Sequence, residues 1–149
     1  MKISFEPFGR DKNFELSSLL QNVPNGQVFV LTDNHTKEHC LPIFSEFLGK
    51  MPFHLLTLEA GEEHKNLASV QVVWDFLFKN HATREAILIN LGGGIITDLG
   101  GFAAATYMRG IRFINIPTTL LAMVDASSGG KTGIDYQGIK NGIGTFTPP

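Results

Sequence analysis

The order of apolar and polar residues along the chain predicts alternating strands and helices. Four short runs are almost continuously apolar and end at turn or acidic residues, which is typical of strands buried on both faces of a parallel sheet. These runs are 27–33, 53–59, 86–91 and 112–117. A weaker, alternating stretch at 2–6 predicts a further short strand. We therefore predict an α/β fold with a Rossmann-like, mostly parallel sheet and flanking helices.

The segments between these runs carry helix signals. We predict helices over 13–21, 34–50, 66–80 and 95–107, with Pro42 interrupting or delaying the second of them. Asn66 is suited to cap the third helix, and Pro24-Asn25-Gly26 predicts a turn. The third helix has apolar residues at helical spacing, which predicts that they form its buried face. They are Leu67, Val70, Val73, Trp74, Leu77 and Phe78.

Composition limits the classes of protein to which the chain can belong. With 149 residues, of which 43% are hydrophobic and 17% charged, it can bury one ordinary core, so we expect a single domain at 1–149. The net charge of -2 and the dispersed basic residues argue against nucleic acid or an anionic membrane as partner. We see no signal peptide and no apolar run long enough to span a bilayer. The single cysteine, Cys40, suits a reducing compartment, so we expect a cytoplasmic protein.

The second half of the chain is rich in glycine and poor in charge. Twelve of the 16 glycines lie at or after Gly92. A charged group is costly to desolvate unless it is paired or solvated, so the few charges in such a region indicate a site. From Ala86 onward these charges are Asp98, Arg109, Arg112, Asp125, Lys131, Asp135 and Lys140.

The triplet Gly92-Gly93-Gly94 follows a predicted buried strand and precedes a predicted helix. Backbone N–H groups and the helix dipole make this position an anion site, for which a dinucleotide pyrophosphate is the natural occupant. Asp98, one turn into the helix, is placed to accept a hydrogen bond from a ribose or from a bound cation, or it is simply a first-turn acid that suits the helix dipole. The Rossmann fingerprint itself fails, because Thr97 stands where GxGxxG requires a small residue. A tight turn that only packs the helix on the sheet is the alternative.

Two further stretches carry candidate chemistry. Thr118 and Thr119 follow the last predicted strand, where open α/β sheets bind ligands, although they also suit a helix N-cap. Residues 127–133 superficially resemble a P-loop, but Asp125 stands where the first glycine of that motif belongs. Lys131, after two glycines, is still well placed to meet a phosphate or a carboxylate.

Long segments of this chain resemble the 3-dehydroquinate synthase family. They are GEEHK (61–65), GGGIITDLGGFAAATYMRG (92–110), IPTTLLAMVDASSGGKTGID (116–135) and KNGIGTF (140–146). The resemblance runs from about Asp33 to the end and implies the N-terminal, NAD-binding domain of a two-domain fold. It also implies a lyase of the shikimate pathway, in aromatic amino acid biosynthesis. That enzyme converts 3-deoxy-D-arabino-heptulosonate 7-phosphate to 3-dehydroquinate and phosphate.

The resemblance also implies roles for individual residues. The implied NAD contacts are Asp33, Glu62, Lys65, Gly92, Gly93, Gly94, Ile95, Ile96, Thr97, Asp98, Thr118, Thr119, Lys131 and Lys140. The implied substrate residues are Asp125, Lys131, Asn141 and Arg109, of which Arg109 resembles an arginine that reaches the substrate phosphate from a neighbouring subunit. The chain departs from the family pattern at Thr97, usually glycine, and at Asp135-Tyr136, often Asn-His.

The same resemblance places the metal ligands in a second, helical domain that this chain lacks. Zinc or cobalt is therefore expected in the full-length enzyme, with no metal ligand among residues 1–149, and we expect the 149-residue chain alone to be inactive. His35, His39 and Cys40 fit a solvated helix face better than a metal site.

The predicted helix at 95–107 carries small residues, Gly100-Gly101 and Ala103-Ala104-Ala105, and leads to Arg109. We expect this face to pack against a second copy in a homodimer. Three alternatives to the synthase stay open. A polyol dehydrogenase of the same superfamily would carry lysines where Ile95 and Gly101 stand. The others are another sugar-phosphate cyclase and a non-catalytic nucleotide-binding module.

Overall fold

The computed structural model describes residues 12–125 and 130–149 and contains a four-stranded parallel sheet. Its strands are β1 (Val28–Asp33), β2 (His54–Leu58), β3 (Ile87–Gly92) and β4 (Arg112–Pro117). Their order across the sheet is β2-β1-β3-β4, and each neighbouring pair is parallel. The predicted α/β class and all four apolar runs are confirmed, whereas the strand predicted at 2–6 lies outside the described residues.

Helices connect the strands much as the sequence predicts. They are α1 (Lys12–Leu20), α2 (Asn34–His39), α3 (Leu41–Leu48), α4 (Leu67–Lys79), α5 (Gly94–Thr106) and α6 (Leu120–Val124), with short 3-10 helices at Glu62–His64 and Tyr107–Arg109. Pro42 lies in the first turn of α3 and divides the predicted 34–50 helix in two. Asn66 caps α4 by accepting a hydrogen bond from the Ser69 backbone N–H, at 3.0 Å.

The sheet separates two apolar clusters because successive side chains of its central strands point to opposite faces. On one face, Phe29 and Leu31 pack with α4 and α5; on the other, Val28 and Val30 pack with α1 and α3. All four side chains are buried. The strands β1 and β3 are therefore covered on both faces, and their carboxyl ends lie at one edge of the sheet.

Two predictions of burial are wrong in part. The strand β2 is half-buried along its whole length, whereas β4 at the opposite edge of the sheet is buried over 113–117, because α5 packs against β4 and the helices leave more of β2 uncovered. In α4, Val70, Val73 and Leu77 are fully buried, but Leu67 is exposed and Phe78 has 59% of its surface accessible. Leu67 is the first residue of α4, and the Phe78 ring meets the Tyr107 ring at a centroid distance of 4.8 Å.

The small residues of α5 are buried inside the chain, which contradicts their predicted role in a contact between two copies. Gly100, Gly101, Ala103 and Ala104 are all buried. A Cβ built at Gly100 would overlap Asn90 Oδ1, and one at Gly101 would lie 2.7 Å from Thr132 Cγ2. Their small size therefore allows α5 to lie against the sheet on one side and against a hairpin on the other.

That hairpin was not predicted from the sequence. It consists of β5 (Lys131–Tyr136) and β6 (Ile139–Phe146), which pair antiparallel and form a separate two-stranded sheet. Ile134 of β5 is buried with the residues of α4 and α5, so the hairpin belongs to the same core. Among the described residues, no helix combines the length and the apolar character that a membrane span requires.

Candidate functional site

The carboxyl ends of the four parallel strands meet at one edge of the sheet, and most of the predicted site residues lie there. Asp33 ends β1, the 61–65 segment follows β2, Gly92 ends β3 and Thr118 follows β4. The chain passes from β1 outward to β2 and then returns to β3 on the other side of β1. Open α/β sheets bind their ligands outside the strand ends at such a reversal, between the strands whose connections run in opposite directions.

The turn between β3 and α5 is built from three glycines with different surroundings. A Cβ at Gly92 would lie 2.6 Å from Ile96 Cβ, and one at Gly93 would lie 3.2 Å from Thr119 Cγ2, so both are closely packed. At Gly94, by contrast, no heavy atom of the described residues would lie within 4 Å of an added Cβ. Gly93 is the N-cap of α5 and offers no side chain to cap it, so the first N–H groups of the helix are available to a ligand.

The threonine pair after β4 supports this turn. The Thr118 backbone N–H donates to the Gly92 carbonyl at 3.0 Å and so ties the end of β4 to the end of β3. Thr119 is the N-cap of α6, and its hydroxyl accepts from the Ala122 N–H at 3.2 Å. Thr119 thus adopts the helix-cap role that the sequence also suggested for the pair, and it does so beside the glycine turn.

Lys65, Asp98 and Asn141 meet at this edge although they are far apart in sequence. The Lys65 ammonium donates to Asp98 Oδ2 at 2.8 Å and to Asn141 Oδ1 at 2.7 Å. Only 7% of the Lys65 side chain is exposed, and 25% of the Asp98 side chain. A lysine is almost never buried this far unless it is paired, so the carboxylate and the amide compensate for its lost hydration.

The hairpin reaches this lysine through its own backbone. The Asp135 N–H donates to the Lys65 carbonyl at 2.9 Å, and Asp135 Oδ1 accepts from the Asn141 N–H at 2.8 Å. Lys140, the neighbour of Asn141, lies 3.6 Å from Glu62 in an exposed ion pair. Five residues from three separate segments therefore form one polar cluster: Glu62 and Lys65, Asp98, and the two hairpin residues Lys140 and Asn141.

Several predicted cofactor residues have side chains that are already engaged. Asp33 caps α2, with Oδ1 accepting from the Thr36 N–H at 2.8 Å. Ile96 and Thr97 are buried, and the Thr97 hydroxyl is 3.2 Å from the carbonyls of both Gly93 and Gly94 in its own helix. The threonine that replaces the usual glycine therefore turns inward. Ile95 is half-buried in the first turn of α5.

The predicted substrate residues are not all brought together. Asp125 is exposed at the end of α6, and Lys131 is exposed at the start of β5; residues 126–129 between them lie outside the described residues. Arg109 is exposed just beyond the far end of α5. The 13 residues of α5 span about 20 Å, so its glycine end and Arg109 are separated by about that distance within one chain.

The described residues do not contain a metal centre of the usual kind. Nowhere among them do three His, Cys, Asp or Glu residues come close enough to hold a metal ion. His35 and His39 are exposed on α2, as their sequence pattern indicated. Burial, with a smaller contribution from the Asp33 carboxylate, raises the pKa of Cys40 above its ordinary value, so the thiol stays protonated at neutral pH.

Sequence reasoning missed the contribution of Asp135, to which no contact was assigned. One signal could have revealed the hairpin around it. Gln137-Gly138 separates two short stretches that each contain isoleucine, and both residues adopt positive φ in the structure, as residues of a tight hairpin turn do. The tertiary contact with Lys65 had no comparable signal.

Comparisons with known proteins agree with this architecture. The family model for the 3-dehydroquinate synthase N-terminal region matches residues 55–149. A 3-dehydroquinate synthase of Parabacteroides distasonis is 46% identical over 140 residues, which are 94% of this chain and 40% of that protein. This chain thus spans about two fifths of the length of that curated relative.

Solved structures give the same result. A 2-deoxy-scyllo-inosose synthase complexed with carbaglucose-6-phosphate, NAD+ and Co2+ superposes with a TM-score of 0.79 at 29% identity, over 90% of this chain and 38% of that one. A 2-epi-5-epi-valiolone synthase from Streptomyces hygroscopicus, with NAD+ and Zn2+ bound, gives 0.77 at 31% identity, over 82% of this chain and 35% of that one. With the glycine turn, the parallel sheet and the family match in agreement, the chain belongs to the 3-dehydroquinate synthase N-terminal family.

Proposed function

We propose that this chain binds NAD across the carboxyl ends of β1 and β3, with the pyrophosphate at the N-terminus of α5. The open space in front of Gly94 is the observation that carries the proposal, since it leaves room for a phosphate beside N–H groups that have no partner within the helix. The two cyclase structures that superpose on this chain at 29% and 31% identity have NAD+ bound. The residues present therefore fit a dinucleotide.

The proposed cofactor contacts follow from this placement. Gly92 to Asp98 would lie under the phosphates and ribose, with Thr118 and Thr119 beside the turn. Asp33, Glu62, Lys65, Lys131 and Lys140 would complete the contacts. Lys65 forms an ion pair with Asp98, and Lys140 pairs with Glu62, so these two cations each have an acidic partner.

We propose that the whole protein is a 3-dehydroquinate synthase, a lyase of the shikimate pathway that serves aromatic amino acid biosynthesis. It would convert 3-deoxy-D-arabino-heptulosonate 7-phosphate to 3-dehydroquinate and phosphate. The 46% identity to a protein of that name, against 29% and 31% to the two other cyclases, favours this substrate over those of the related cyclases. Because the chain spans only part of such relatives, this proposal concerns the complete enzyme.

NAD, when bound, supplies a reversible hydride acceptor, and the residues of the chain would bind and orient the substrate. Lys131 and Arg109 are cations suited to a carboxylate and a phosphate. Asp125 and the Nδ2 group of Asn141 are suited to orient hydroxyl groups, since Asn141 Oδ1 is already occupied by Lys65. Bound close to NAD, a substrate held by these groups would be oriented for the reaction.

We also propose a homodimer in the cytoplasm, in which Arg109 serves the site of the other subunit. Its distance of about 20 Å from the glycine turn supports this arrangement, because an arginine side chain is far too short to bridge it. Sedimentation equilibrium measures the assembly state, and a monomer at micromolar concentration would remove the proposed role of Arg109. The single cysteine is the observation that favours a reducing compartment.

NAD binding is tested at Gly94, where a side chain can be added without a clash. Gly94→Asp places a carboxylate where the pyrophosphate should lie, and an acid in the first turn also suits the helix dipole, so the fold should persist. We expect wild type to bind NAD weakly, because half a cleft leaves much of the ligand in water. In calorimetry, Gly94→Asp should raise Kd at least tenfold relative to the uncharged, equally large Gly94→Asn. Equal Kd values for the two variants would place the phosphates elsewhere.

We further propose that residues 1–149 form the NAD-binding domain and that the metal ligands lie in a second, helical domain. The curated relative from Parabacteroides distasonis extends well beyond the part that this chain matches, since the match covers 40% of that protein, and this supports the division. Residues 1–149 alone should therefore release phosphate from 3-deoxy-D-arabino-heptulosonate 7-phosphate only at the background rate, with NAD and zinc present. A chain that includes such a domain should turn over. Turnover by residues 1–149 would show that the second domain is not needed.

A further inference from the structure

The corner of the hairpin carries an irregularity that no assigned role explains. Ile134 pairs with Ile143, and Tyr136 pairs with Ile139. Between these pairs a single residue on β5, Asp135, faces three residues on β6: Lys140, Asn141 and Gly142. Extra residues of this kind bend a strand and redirect a side chain, and such bulges are common beside active sites.

The bulge places Asn141 in a backbone conformation that needs support. Its φ is +51°, in the left-handed region, which asparagine tolerates better than other non-glycine residues but which still carries a cost. Gly142 follows it, where a Cβ would lie 3.2 Å from the Ile139 carbonyl oxygen. The Asn141 N–H is satisfied by Asp135 Oδ1 at 2.8 Å. The Asp135 carboxylate therefore fixes the corner from the opposite strand.

Asn141 is exposed as a whole, but its side chain meets the buried Lys65. Asn141 Oδ1 accepts from the Lys65 ammonium at 2.7 Å, and the same ammonium donates to Asp98. The backbone of Asp135 contacts the same lysine, because its N–H donates to the Lys65 carbonyl at 2.9 Å. Asp135 thus contacts both Lys65, which carries the ammonium, and Asn141, whose Oδ1 accepts from that ammonium.

We propose that Asp135 is a positioning residue, which sets the Asn141 side chain against Lys65 and thereby keeps the Lys65 ammonium beside Asp98 in the nucleotide site. The assignment of this cluster to a nucleotide rests on the function proposed above, but the hydrogen bonds do not. Asp135 acts through its acceptor oxygen. An asparagine at 135 retains that oxygen and should preserve the arrangement, whereas an alanine should not.

The first test uses no ligand. The Lys65 ammonium is buried and hydrogen-bonded, so its hydrogens should exchange slowly enough to be followed by NMR. We expect Asp135→Ala to accelerate this exchange at least fivefold and Asp135→Asn to leave it within twofold of wild type. Tyr136→Ala, at the next and exposed position, is the control and should leave it unchanged. Unchanged exchange in Asp135→Ala would overturn the proposal.

A double-mutant cycle separates positioning from a general loosening of the hairpin. If Asp135 acts through the Asn141 side chain, the exchange of the Lys65 ammonium hydrogens should be as fast in Asn141→Ala as in the double variant that adds Asp135→Ala. An equal acceleration in both backgrounds would mean that Asp135 only stabilises the hairpin, and the proposal would fail.

The last test adds NAD and follows the same cycle by calorimetry. We expect Asp135→Ala alone to raise the Kd for NAD about three- to tenfold, and Asp135→Asn to restore the wild-type Kd. Adding Asp135→Ala to Asn141→Ala should leave the Kd of that variant unchanged. An unchanged Kd for Asp135→Ala, in a wild type that binds NAD, would remove its role in the nucleotide site. If wild type binds no NAD, the proposed function fails, while the exchange measurements still decide the role of Asp135 toward Lys65.

Discussion

Replacement of Lys65 with methionine is expected to lower the free energy of unfolding by about 1–3 kcal/mol, because it leaves the Asp98 carboxylate without its cation in a largely buried position. Methionine keeps most of the volume of the lysine stem, so the loss reports the ammonium rather than a cavity. Asn141 Oδ1 also loses its donor. Urea unfolding at neutral pH measures the change.

Two comparisons make this prediction specific. Lys79→Met removes an exposed lysine at the end of α4 and should change stability by no more than about 0.5 kcal/mol. Adding Asp98→Asn to Lys65→Met should recover part of the loss, because it removes the unpaired charge. If Lys65→Met unfolds at the same urea concentration as wild type, the buried pair does not contribute to stability.

Lys65→Met should also weaken NAD binding. The proposed site would lose the ammonium that contacts both Asp98 of α5 and Asn141 of the hairpin, and the hairpin would lose a contact that fixes its corner. We expect a rise in Kd of tenfold or more at a temperature where the variant remains folded. Lys79→Met, which removes an exposed lysine outside the proposed site, provides the matched control for this titration.

Gly100→Ala is expected to destabilise the chain by about 1–3 kcal/mol, because its methyl group would overlap Asn90 Oδ1 and lie 2.9 Å from Leu31 Cδ2. Asn90 cannot turn away freely. It is fully buried on β3, and its amide donates to Asn115 Oδ1 across the sheet at 2.9 Å. The alternative is for α5 to move off the sheet, which would loosen the core on that face.

Gly94→Ala is the matched control for this substitution. It lies in the same helix, but its added methyl group meets no described atom within 4 Å, so it should be neutral or stabilise slightly. Thermal and urea unfolding of the two variants give the comparison. Asn90→Ala in the Gly100→Ala background should recover part of the loss by removing the overlapping atom. Equal stability of Gly100→Ala and wild type would show that the contact relaxes at no cost.

Much of the fold follows from the sequence because each element carries its own signal. Continuous apolar runs predicted β1, β3 and β4 to within one residue at each end, and Pro42 and Asn66 marked helix boundaries through backbone chemistry that acts locally. The strand, glycine and helix order around Gly92 likewise predicted an anion site without reference to the rest of the chain.

Periodicity shows which residues are apolar or small, but it does not show what covers them. The small residues of α5 suggested a contact between two copies, and the structure places them against Asn90 and Thr132 of the same chain. The strand β2 has the composition of a buried strand and yet lies at the sheet edge. Position within the sheet depends on the order of the strands, and no local pattern encodes that order.

The polar cluster depends on the tertiary structure for the same reason. Lys65 lies in a charged run that by itself indicates a solvated loop, and it is buried only because α5 brings Asp98 to it and the hairpin brings Asn141. These partners are 33 and 76 residues away in sequence. The sequence by itself determined the four strands of the parallel sheet, most of the helices between them and the glycine turn, because those follow from local chemistry. The tertiary structure decided which charges meet, because burial and pairing exist only once the layers have packed.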